Sequence, residues 1–413
     1  MLLSESEKER AFMKLDIPGP YQLPILCNLI DTFRHKHRLQ DYMLEQASKS
    51  PKGTFHFVLP FGGDTDVMVT DPPSVEYILK TNFENFTKGP HFKDKLQTLL
   101  GDGIFNTDGQ PWKEQRCSNL MIAFGFNVDS MHKDCSFSQA FDAAQECAVD
   151  RFLWPFWKFT PSPMGSYVKI LNDFAANLIK ERRQDPDVRD RNDLLSRYMC
   201  MDGVDHSDAH LRDIVMNFMI AGRDTTAQTL SWLFYNLSRN PDKEAELLKE
   251  IDSFDDGLPD YDELRHMKYI MGAINETLRL CPPVPVDPKY VVKDDVLPNG
   301  YKVPAGVNVA WSMYCMGRME KYWDRPLEFL PERWLDPEKN KERHPFLFIP
   351  FQAGPRTCLG QNMAYLEAKV MTFMILKSYR LELHDPENQK VTYRPSLTLP
   401  IKGGLRMLAS RRR

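Results

Sequence analysis

The sequence predicts a mainly α-helical protein with a minor β component. The strongest helix signal lies in residues 210–241, HLRDIVMNFMIAGRDTTAQTLSWLFYNLSRNP, where apolar side chains recur at helical spacing. At 1.5 Å per residue this helix is on the order of 45 Å long, which is enough to cross a whole domain. Strand signals are fewer, and they occur in pairs around turns that contain glycine.

In chain order, the first predicted element is a hairpin at residues 53–71, GTFHFVLPFGGDTDVMVTD, and a helix follows over residues 72–80. After the long helix, PDKEAELLKEIDSF and YDELRHMKYIMGAINETLRL each predict one helix. A second hairpin turns at Asn299-Gly300, and a helix covers QNMAYLEAKVMTFMILKSY. The segment SLTLPIKGGLRMLAS near the C-terminus predicts a third hairpin.

The composition indicates one globular domain over residues 1–413. Hydrophobic residues make up 42% of the chain, which allows a large core, and the 30 prolines are spread without forming a linker. The formal charge of −4 does not give the basic surface of a nucleic-acid-binding protein. The cysteines are scattered without a C-x-x-C pair, which argues against a zinc site or a disulfide framework and favours a reducing compartment.

The first twenty residues, MLLSESEKERAFMKLDIPGP, are polar and charged. A signal peptide needs an apolar core of about 7–15 residues and a transmembrane helix needs about 20, and this segment contains neither. The sequence therefore predicts a cytoplasmic protein or one in peripheral contact with a membrane.

One cysteine lies in an unusual position, in the segment FQAGPRTCLG directly ahead of the last predicted helix. Unpaired backbone N–H groups at a helix N-terminus stabilise an anion, so we expect the pKa of the Cys358 thiol to fall. Gly354 and Gly360 allow close approach of a flat group, and Arg356 supplies a fixed cation. These features favour a soft metal ligand beside an anionic group; the alternative is a structural cysteine in a turn.

The same segment resembles the signature F-x-x-G-x-R-x-C-x-G of the cytochrome P-450 haem-thiolate monooxygenases. All five fixed positions are filled, by Phe351, Gly354, Arg356, Cys358 and Gly360. The resemblance implies a cytochrome P-450 fold, a helical bundle around haem b with small β-sheets. It also implies that Cys358 is the proximal iron ligand, that Phe351 packs near the thiolate, and that Arg356 pairs with a haem propionate.

The segment AGRDTT interrupts the apolar face of the long helix. By itself it indicates either a polar stripe with a glycine notch or a site. The resemblance implies that this segment crosses the distal face of the haem, where Gly222 leaves room for dioxygen. Asp224 and Thr225 would then deliver protons during catalysis, since both groups can move protons over hydrogen-bond distances.

Two further motifs are interpreted through the same resemblance. Glu276 and Arg279, three residues apart on a helix, would form the family's structural Glu-Arg-Arg triad with Arg333 of the segment PERW. Trp112 and Arg116 match W-x-x-x-R, which implies donation to a haem propionate.

Within the family, the sequence resembles most the branch that hydroxylates long-chain fatty acids. The segments that carry this resemblance are AGRDTTAQTLSW, FGFNVDSMHKD and LRLCPPVPVDPKYVV. It implies a lipid substrate, dioxygen, electrons from NADPH through a cytochrome P-450 reductase, and attachment to the endoplasmic reticulum membrane. Substrate contacts are expected from Lys88, His91 and Phe92 and from Thr398, Leu399 and Pro400. Reductase contacts are expected from a basic group that consists of Lys113, Lys339, Lys341 and Arg343. A solvated basic face is the alternative for the last group.

The sequence departs from the family pattern in two places. No apolar anchor precedes IPGP, and CSNLMIAFGF follows Arg116 almost directly, where the family has several tens of further residues. The sequence therefore predicts an N-terminal truncation and an internal deletion near residues 116–122. A non-enzymatic haem binder or an inactive product is thus the alternative to a monooxygenase. A haem-thiolate peroxygenase, isomerase or dehydratase is a second alternative, against which Asp224 and Thr225 argue.

Overall fold

The computed structural model describes residues 15–60, 64–122, 135–191, 193–201, 205–254, 257, 259–385 and 391–412. The helices in these ranges are α1 Leu29–His35, α2 Leu39–Lys49, α3 Pro72–Glu76, α4 Gly89–Leu100, α5 Gly109–Ile122, α6 Cys135–Leu153, α7 Met164–Gln184, α8 Leu194–Met199, α9 Asp208–Phe218, α10 Thr225–Arg239, α11 Pro241–Asp252, α12 Tyr261–His266, α13 Lys268–Leu280, α14 Met313–Met316, α15 Pro337–Glu342 and α16 Gln361–Ser378. Helices therefore dominate, as the sequence predicts.

The strands form three small sheets. They are β1 Thr54–Val58, β2 Thr65–Val69, β3 Phe86–Thr87, β4 Val286–Val291, β5 Asp295–Val296, β6 Lys302–Val303, β7 Asn308–Ser312, β8 Tyr379–Leu383 and β9 Met407–Arg411. The largest sheet has the order β1-β2-β7-β4-β3, with β2 and β7 parallel and the other pairs antiparallel. The pairs β5–β6 and β8–β9 form the other two sheets.

The first two predicted hairpins are present, and the prediction of the third is wrong. β1 and β2 pair antiparallel across the first predicted turn, and β5 and β6 pair across Asn299-Gly300. In the last segment, however, β9 pairs with β8, which directly follows α16. The partner of β9 thus lies outside the predicted hairpin, because strand pairing depends on the tertiary fold and not on the local turn alone.

The long predicted helix is present with a change of hydrogen-bond pattern at its centre. α9 begins at a side-chain cap, where the hydroxyl of Ser207 accepts a hydrogen bond from His210 N. Residues Met219–Asp224 then form a π-helical turn, and α10 continues to Arg239. A π-turn inside an α-helix is frequent at functional sites. It coincides here with the AGRDTT segment.

The predicted helix over YDELRHMKYIMGAINETLRL is two helices that meet at Met267. α12 begins with a capping box, in which Asp260 and Glu263 exchange side-chain and backbone hydrogen bonds. Met267 has φ −71° and ψ 89°, which is not helical, and α13 begins at the next residue. The apolar periodicity continues across this break, which explains why the sequence did not reveal it.

Four clusters of buried apolar side chains hold these elements together. One fills the space between α4, α6, α7 and α9 and includes Phe141, Leu171 and Met216, each fully buried. A second lies between α10, α11, α13 and α16 around Leu233, Ile270 and Phe373. The remaining two cover the faces of the five-stranded sheet. In the cysteine segment, Phe351 packs against the second cluster and Ala353 packs against one of the two sheet clusters.

Candidate functional site

The cysteine segment is a tight loop fixed to its surroundings by backbone contacts. Gly354–Arg356 form a 3₁₀ turn, and Cys358 N donates to the carbonyl oxygen of Phe351 at 2.9 Å. Gly354 has φ +65°, and a Cβ atom there would lie 2.1 Å from the carbonyl oxygen of Leu79. Only glycine fits this position without strain. The Phe351 ring lies 4.9 Å from that of Tyr365, which attaches the loop to α16.

The pKa of Cys358 is raised and not lowered. Cys358 is accessible to solvent yet surrounded by protein, as a residue lining a recess would be, and burial is the largest cause of its raised pKa. The N–H of Gly360 and the charge of Arg116 act in the opposite direction and are weaker. The expected fall is therefore wrong for the protein without a metal ion, because desolvation outweighs the helix terminus. A metal ion coordinated by the sulfur would reverse this balance and favour the deprotonated thiol.

Two arginines of the predicted site converge on one indole ring. The guanidinium carbon of Arg356 lies 4.5 Å from the ring centre of Trp112, and that of Arg116 lies 5.9 Å away. Arg356 also donates to the carbonyl oxygen of Thr107 at 2.9 Å and to the carboxylate of Asp108 at 2.6 Å. Cation–π contacts of this kind hold the guanidinium planes in fixed positions beside the cysteine loop.

The structure adds a group of buried charges that the sequence analysis missed. Lys289 on β4 is 1% exposed, and its Nζ atom has no hydrogen-bond partner among the described residues. Burial, followed by repulsion from Lys88 and Arg356, lowers the pKa of Lys289. Lys88 pairs with Asp287 at 2.7 Å, and Gln352 donates to the same carboxylate at 3.1 Å. The sequence feature that could have revealed this group is the strand VDPKYV. Side chains alternate between the two faces of a strand, so Asp287 and Lys289 lie on the same face.

This charge group fits a ligand with two carboxylates. Four cations, Lys88, Arg116, Lys289 and Arg356, surround two carboxylates, those of Asp108 and Asp287. With Lys289 protonated, two positive charges are uncompensated within the group, and an anionic ligand would favour that protonated form. In addition, Nε of Arg356 is buried without a partner among the described residues. Haem b carries two propionates beside its iron, so the thiol and the cations together fit that cofactor.

The π-turn and the residue after it contain the two residues expected to deliver protons. Asp224 is 4% exposed, and burial raises the pKa of its carboxyl group. The Thr225 hydroxyl donates to the carbonyl oxygen of Ala221 at 2.5 Å. Apart from its chain neighbours and the backbone of its own helix, no atom of the described residues lies within 4 Å of a Cβ built on Gly222, so this position faces open space. The widened π-turn thus presents a small residue beside an acid and a hydroxyl.

The three residues of the predicted triad form one buried network. Glu276 and Arg279 have fully buried side chains and pair at 2.7 Å, and Arg333 Nε lies 3.2 Å from the same carboxylate. Trp334 Nε1 donates to Glu276 at 2.9 Å, and the backbone N–H of Leu330 donates at 3.0 Å. The carboxylate thus accepts from several donors, which is the condition under which a buried charge is stable.

A comparison with protein families identifies the fold that carries this site. The family model "Cytochrome P450" matches residues 17–152 and 117–406, which together span most of the chain.

The chain belongs to the cytochrome P-450 family.

Relatives and solved structures agree with this assignment. Cytochrome P-450 704B1 of Arabidopsis thaliana is 32% identical over 504 aligned positions, covering 95% of each protein. Cytochrome P-450 704C1 of Pinus taeda is 33% identical, covering 91% of this chain and 89% of the relative. The heme domain of cytochrome P450DA superposes with a TM-score of 0.79 at 24% identity over 97% of this chain and 99% of the other. At that identity the structural match shows the fold alone.

Family membership places this P-450 among the haem-dependent monooxygenases of the oxidoreductase class. Its cofactor is haem b, its co-substrate is dioxygen, and a separate redox protein supplies electrons.

The match to the family is interrupted at one place in this P-450. The two matched segments overlap over residues 117–152, so the break in collinearity lies there. The alignment to the Arabidopsis relative runs over 504 positions, more than the 413 residues of the chain, and therefore contains gaps in this chain. The overlap supports the predicted missing segment after Arg116, and the alignment length shows that this chain lacks residues that the Arabidopsis relative has. The motif FGFNVDSMHKD lies at residues 124–134, outside the described residues.

The other predicted contact residues fall in different environments. Lys88 is buried in the charge group, and Arg343 stacks on Trp334 while donating to the carbonyl oxygen of Arg333. Thr398 and Leu399 are 3% and 2% exposed, and the Leu399 carbonyl oxygen accepts from Trp232 at 2.8 Å. The remaining lysines of the basic group, Lys113, Lys339 and Lys341, are exposed.

Proposed function

We propose that this P-450 hydroxylates the hydrocarbon chain of a long-chain fatty acid or a related lipid. The reactants are the lipid, dioxygen, NADPH and one proton, and the products are the alcohol, water and NADP⁺. One C–H bond of the lipid is replaced by a C–OH group. NADPH–cytochrome P-450 reductase delivers the two electrons. The observation that carries the proposal is the apolar cluster that packs beside the π-turn of the long helix.

That cluster consists of aliphatic and aromatic side chains from several helices. Phe141 of α6 and Met219 of the π-turn are buried in it. Phe92, Phe174, Phe218 and Leu397 pack against it and keep part of their surface accessible. A surface of this composition favours a hydrocarbon chain, since each buried methylene contributes about 0.8 kcal/mol.

The residues around the cofactor have separate tasks. Haem b supplies the oxidising chemistry when it is bound. Cys358 is proposed to hold its iron, and Arg116, Arg356 and Lys289 are proposed to orient it through its carboxylates. Asp224 is proposed to move protons at its carboxylate oxygens, and Thr225 at its hydroxyl. The Glu276 network holds the polypeptide behind the cysteine loop.

The proposal predicts turnover of a long-chain fatty acid. We expect purified haem-loaded protein, reductase and NADPH to convert a saturated long-chain fatty acid to a hydroxylated product, detected by mass spectrometry. Hydrogen peroxide in place of reductase and NADPH is the comparison, because a peroxygenase would be fully active with it. Binding of the fatty acid without any product under either condition would contradict the proposal.

A second candidate is a haem-binding protein without monooxygenase activity. It is favoured by the interrupted family match and by α16, whose residues Met371 and Met374 are 45% and 42% exposed. This candidate predicts a haem-thiolate spectrum of the reduced carbon monoxide complex together with no hydroxylated product. The turnover experiment therefore separates the two candidates.

For the location of the protein we propose a peripheral contact with the endoplasmic reticulum membrane. No helix in the described ranges is long and apolar enough to span a bilayer. Tyr21, Ile25 and Phe159 are 77%, 73% and 75% exposed, and Phe33 stacks edge-on against Trp154 at 5.5 Å. The segment from Tyr21 to Phe33 and the segment from Trp154 to Phe159 thus lie side by side. Their exposed aromatic side chains suit the interface of a lipid bilayer.

This contact predicts binding to lipid vesicles. We expect the protein to float with phosphatidylcholine vesicles, and the double substitution Ile25→Ser and Phe159→Ser to reduce the bound fraction several-fold. Tyr261→Ser is the control, because Tyr261 is 64% exposed on α12. Equal flotation of all three proteins would show that these aromatic segments do not contact the membrane.

A further inference from the structure

The acid of the π-turn, Asp224, is held by its neighbour in the chain, Arg223, and by a side chain of another helix. One carboxylate oxygen of Asp224 accepts from Arg223 at 2.8 Å, and the other accepts from Gln145 of α6 at 2.5 Å. Gln145 is 1% exposed, and its own Oε1 atom has no partner among the described residues. A buried amide with one unsatisfied end is costly, so its position needs a reason.

The amide of Gln145 can serve both protonation states of its neighbour. Its NH₂ group donates to the ionised carboxylate, as the structure shows. After a half-turn about its last bond, its carbonyl oxygen can accept from the protonated acid. A carboxylate or an ammonium in the same place would favour one state strongly. An amide is thus a suitable partner for a group that takes up and releases protons in every cycle.

We propose that Gln145 is a positioning residue for Asp224, which it holds in place at the π-turn through both protonation states. The inference rests on the role proposed for Asp224 and not on the identity of the substrate. It was absent from the sequence analysis because residues 145 and 224 are brought together only by the packing of α6 against the long helix.

Charged groups continue from this contact toward the surface. Arg223 lies 3.6 Å from Asp142 on α6, and Asp142 pairs with Arg394 at 2.8 Å. Arg394 also pairs with Glu146 at 2.6 Å. The side chains of Asp142 and Glu146 are 36% and 44% exposed, so the row of ion pairs ends at solvent. These ion pairs hold α6 against the π-turn, and Gln145 lies at the inner end of the row beside Asp224.

The effect of the amide on the titration of Asp224 has a definite sign. Burial raises the pKa of Asp224 and is the largest cause, the hydrogen bond from Gln145 and the charge of Arg223 lower it, and Asp142 raises it. Gln145→Met keeps the volume and removes the donor, so the charged form loses stabilisation. We expect the midpoint of the Asp224 titration to rise by roughly one pH unit, because one hydrogen bond to a charged group is lost.

The experiment is a pH titration of the substrate-free holoprotein by infrared difference spectroscopy. The carbonyl band of protonated Asp224 is assigned by its loss in Asp224→Asn. We expect this band to appear at higher pH in Gln145→Met than in the parent. Gln145→Glu is expected to shift it in the same direction, because a second carboxylate disfavours ionisation of the first.

The matched control is Gln110→Met, because Gln110 also donates to a carboxylate, that of Glu114, but on the exposed surface of α5. It should leave the midpoint of Asp224 unchanged. The proposal is overturned if either folded Gln145 variant titrates like the parent, or if the control shifts the band equally. Near-ultraviolet circular dichroism identifies a variant that fails to fold. Turnover of Asp224→Asn tests the role of the acid itself, so the two failures are distinguishable.

Discussion

Replacement of Cys358 by serine is expected to abolish the haem-thiolate spectrum of the reduced carbon monoxide complex and to reduce turnover to background. A serine hydroxyl is a hard oxygen donor that stays protonated at neutral pH, so it cannot supply the negative charge of a thiolate. The loop geometry does not depend on the sulfur, because the contacts of Phe351 and Gly354 are made by ring and backbone atoms. The variant should therefore fold and lose the spectral signature specifically.

The control is Cys200→Ser. Cys200 is a partly buried cysteine that directly follows α8 and lies outside the segment FQAGPRTCLG. Its replacement should leave the carbon monoxide spectrum and the haem content unchanged. If Cys358→Ser retained the parent spectrum, the assignment of the iron ligand would be wrong.

Replacement of Glu276 by glutamine is expected to lower the free energy of unfolding by about 3–5 kcal/mol, the cost of leaving a buried charge unpaired. Arg279 has no exposed surface in its side chain and relies on this carboxylate for two hydrogen bonds, at 2.7 and 2.9 Å. Its remaining partners are the carbonyl oxygens of Gly317, Pro326 and Glu328, which bring no negative charge. Urea denaturation of the variant and parent measures the loss.

The matched control is Glu246→Gln. Glu246 pairs with Lys249 at 2.6 Å in the same i, i+3 arrangement, but the two side chains are 49% and 70% exposed. Exposed pairs of this kind contribute about 0–1 kcal/mol. A loss of similar size in both variants would mean that burial does not distinguish the two pairs, and the structural role of the triad would have to be abandoned.

The sequence predicted features that are local in the chain. The long helix and the first hairpin follow from periodicity, and the Glu276–Arg279 pair of the triad follows from the resemblance to the family. The break at Met267 was missed because apolar spacing continues through it. Lys289, Gln145 and the partner of β9 could not be found because each depends on residues far away in the chain. The raised pKa of Cys358 depends on how much protein surrounds the thiol, which is a property of the whole fold.

The contact between Gly354 and Leu79 has a consequence for biosynthesis. It joins the cysteine loop to a turn made near the beginning of the chain, and the parallel pairing of β2 with β7 joins early and late segments in the same way. Contacts of such wide sequence separation form slowly, and a ribosome releases the later partner only near the end of translation. Nascent chains that end before residue 354 therefore expose the surface around Leu79 and lack Cys358, the proposed iron ligand. Supply of haem to the growing polypeptide should matter only in its last stage of synthesis.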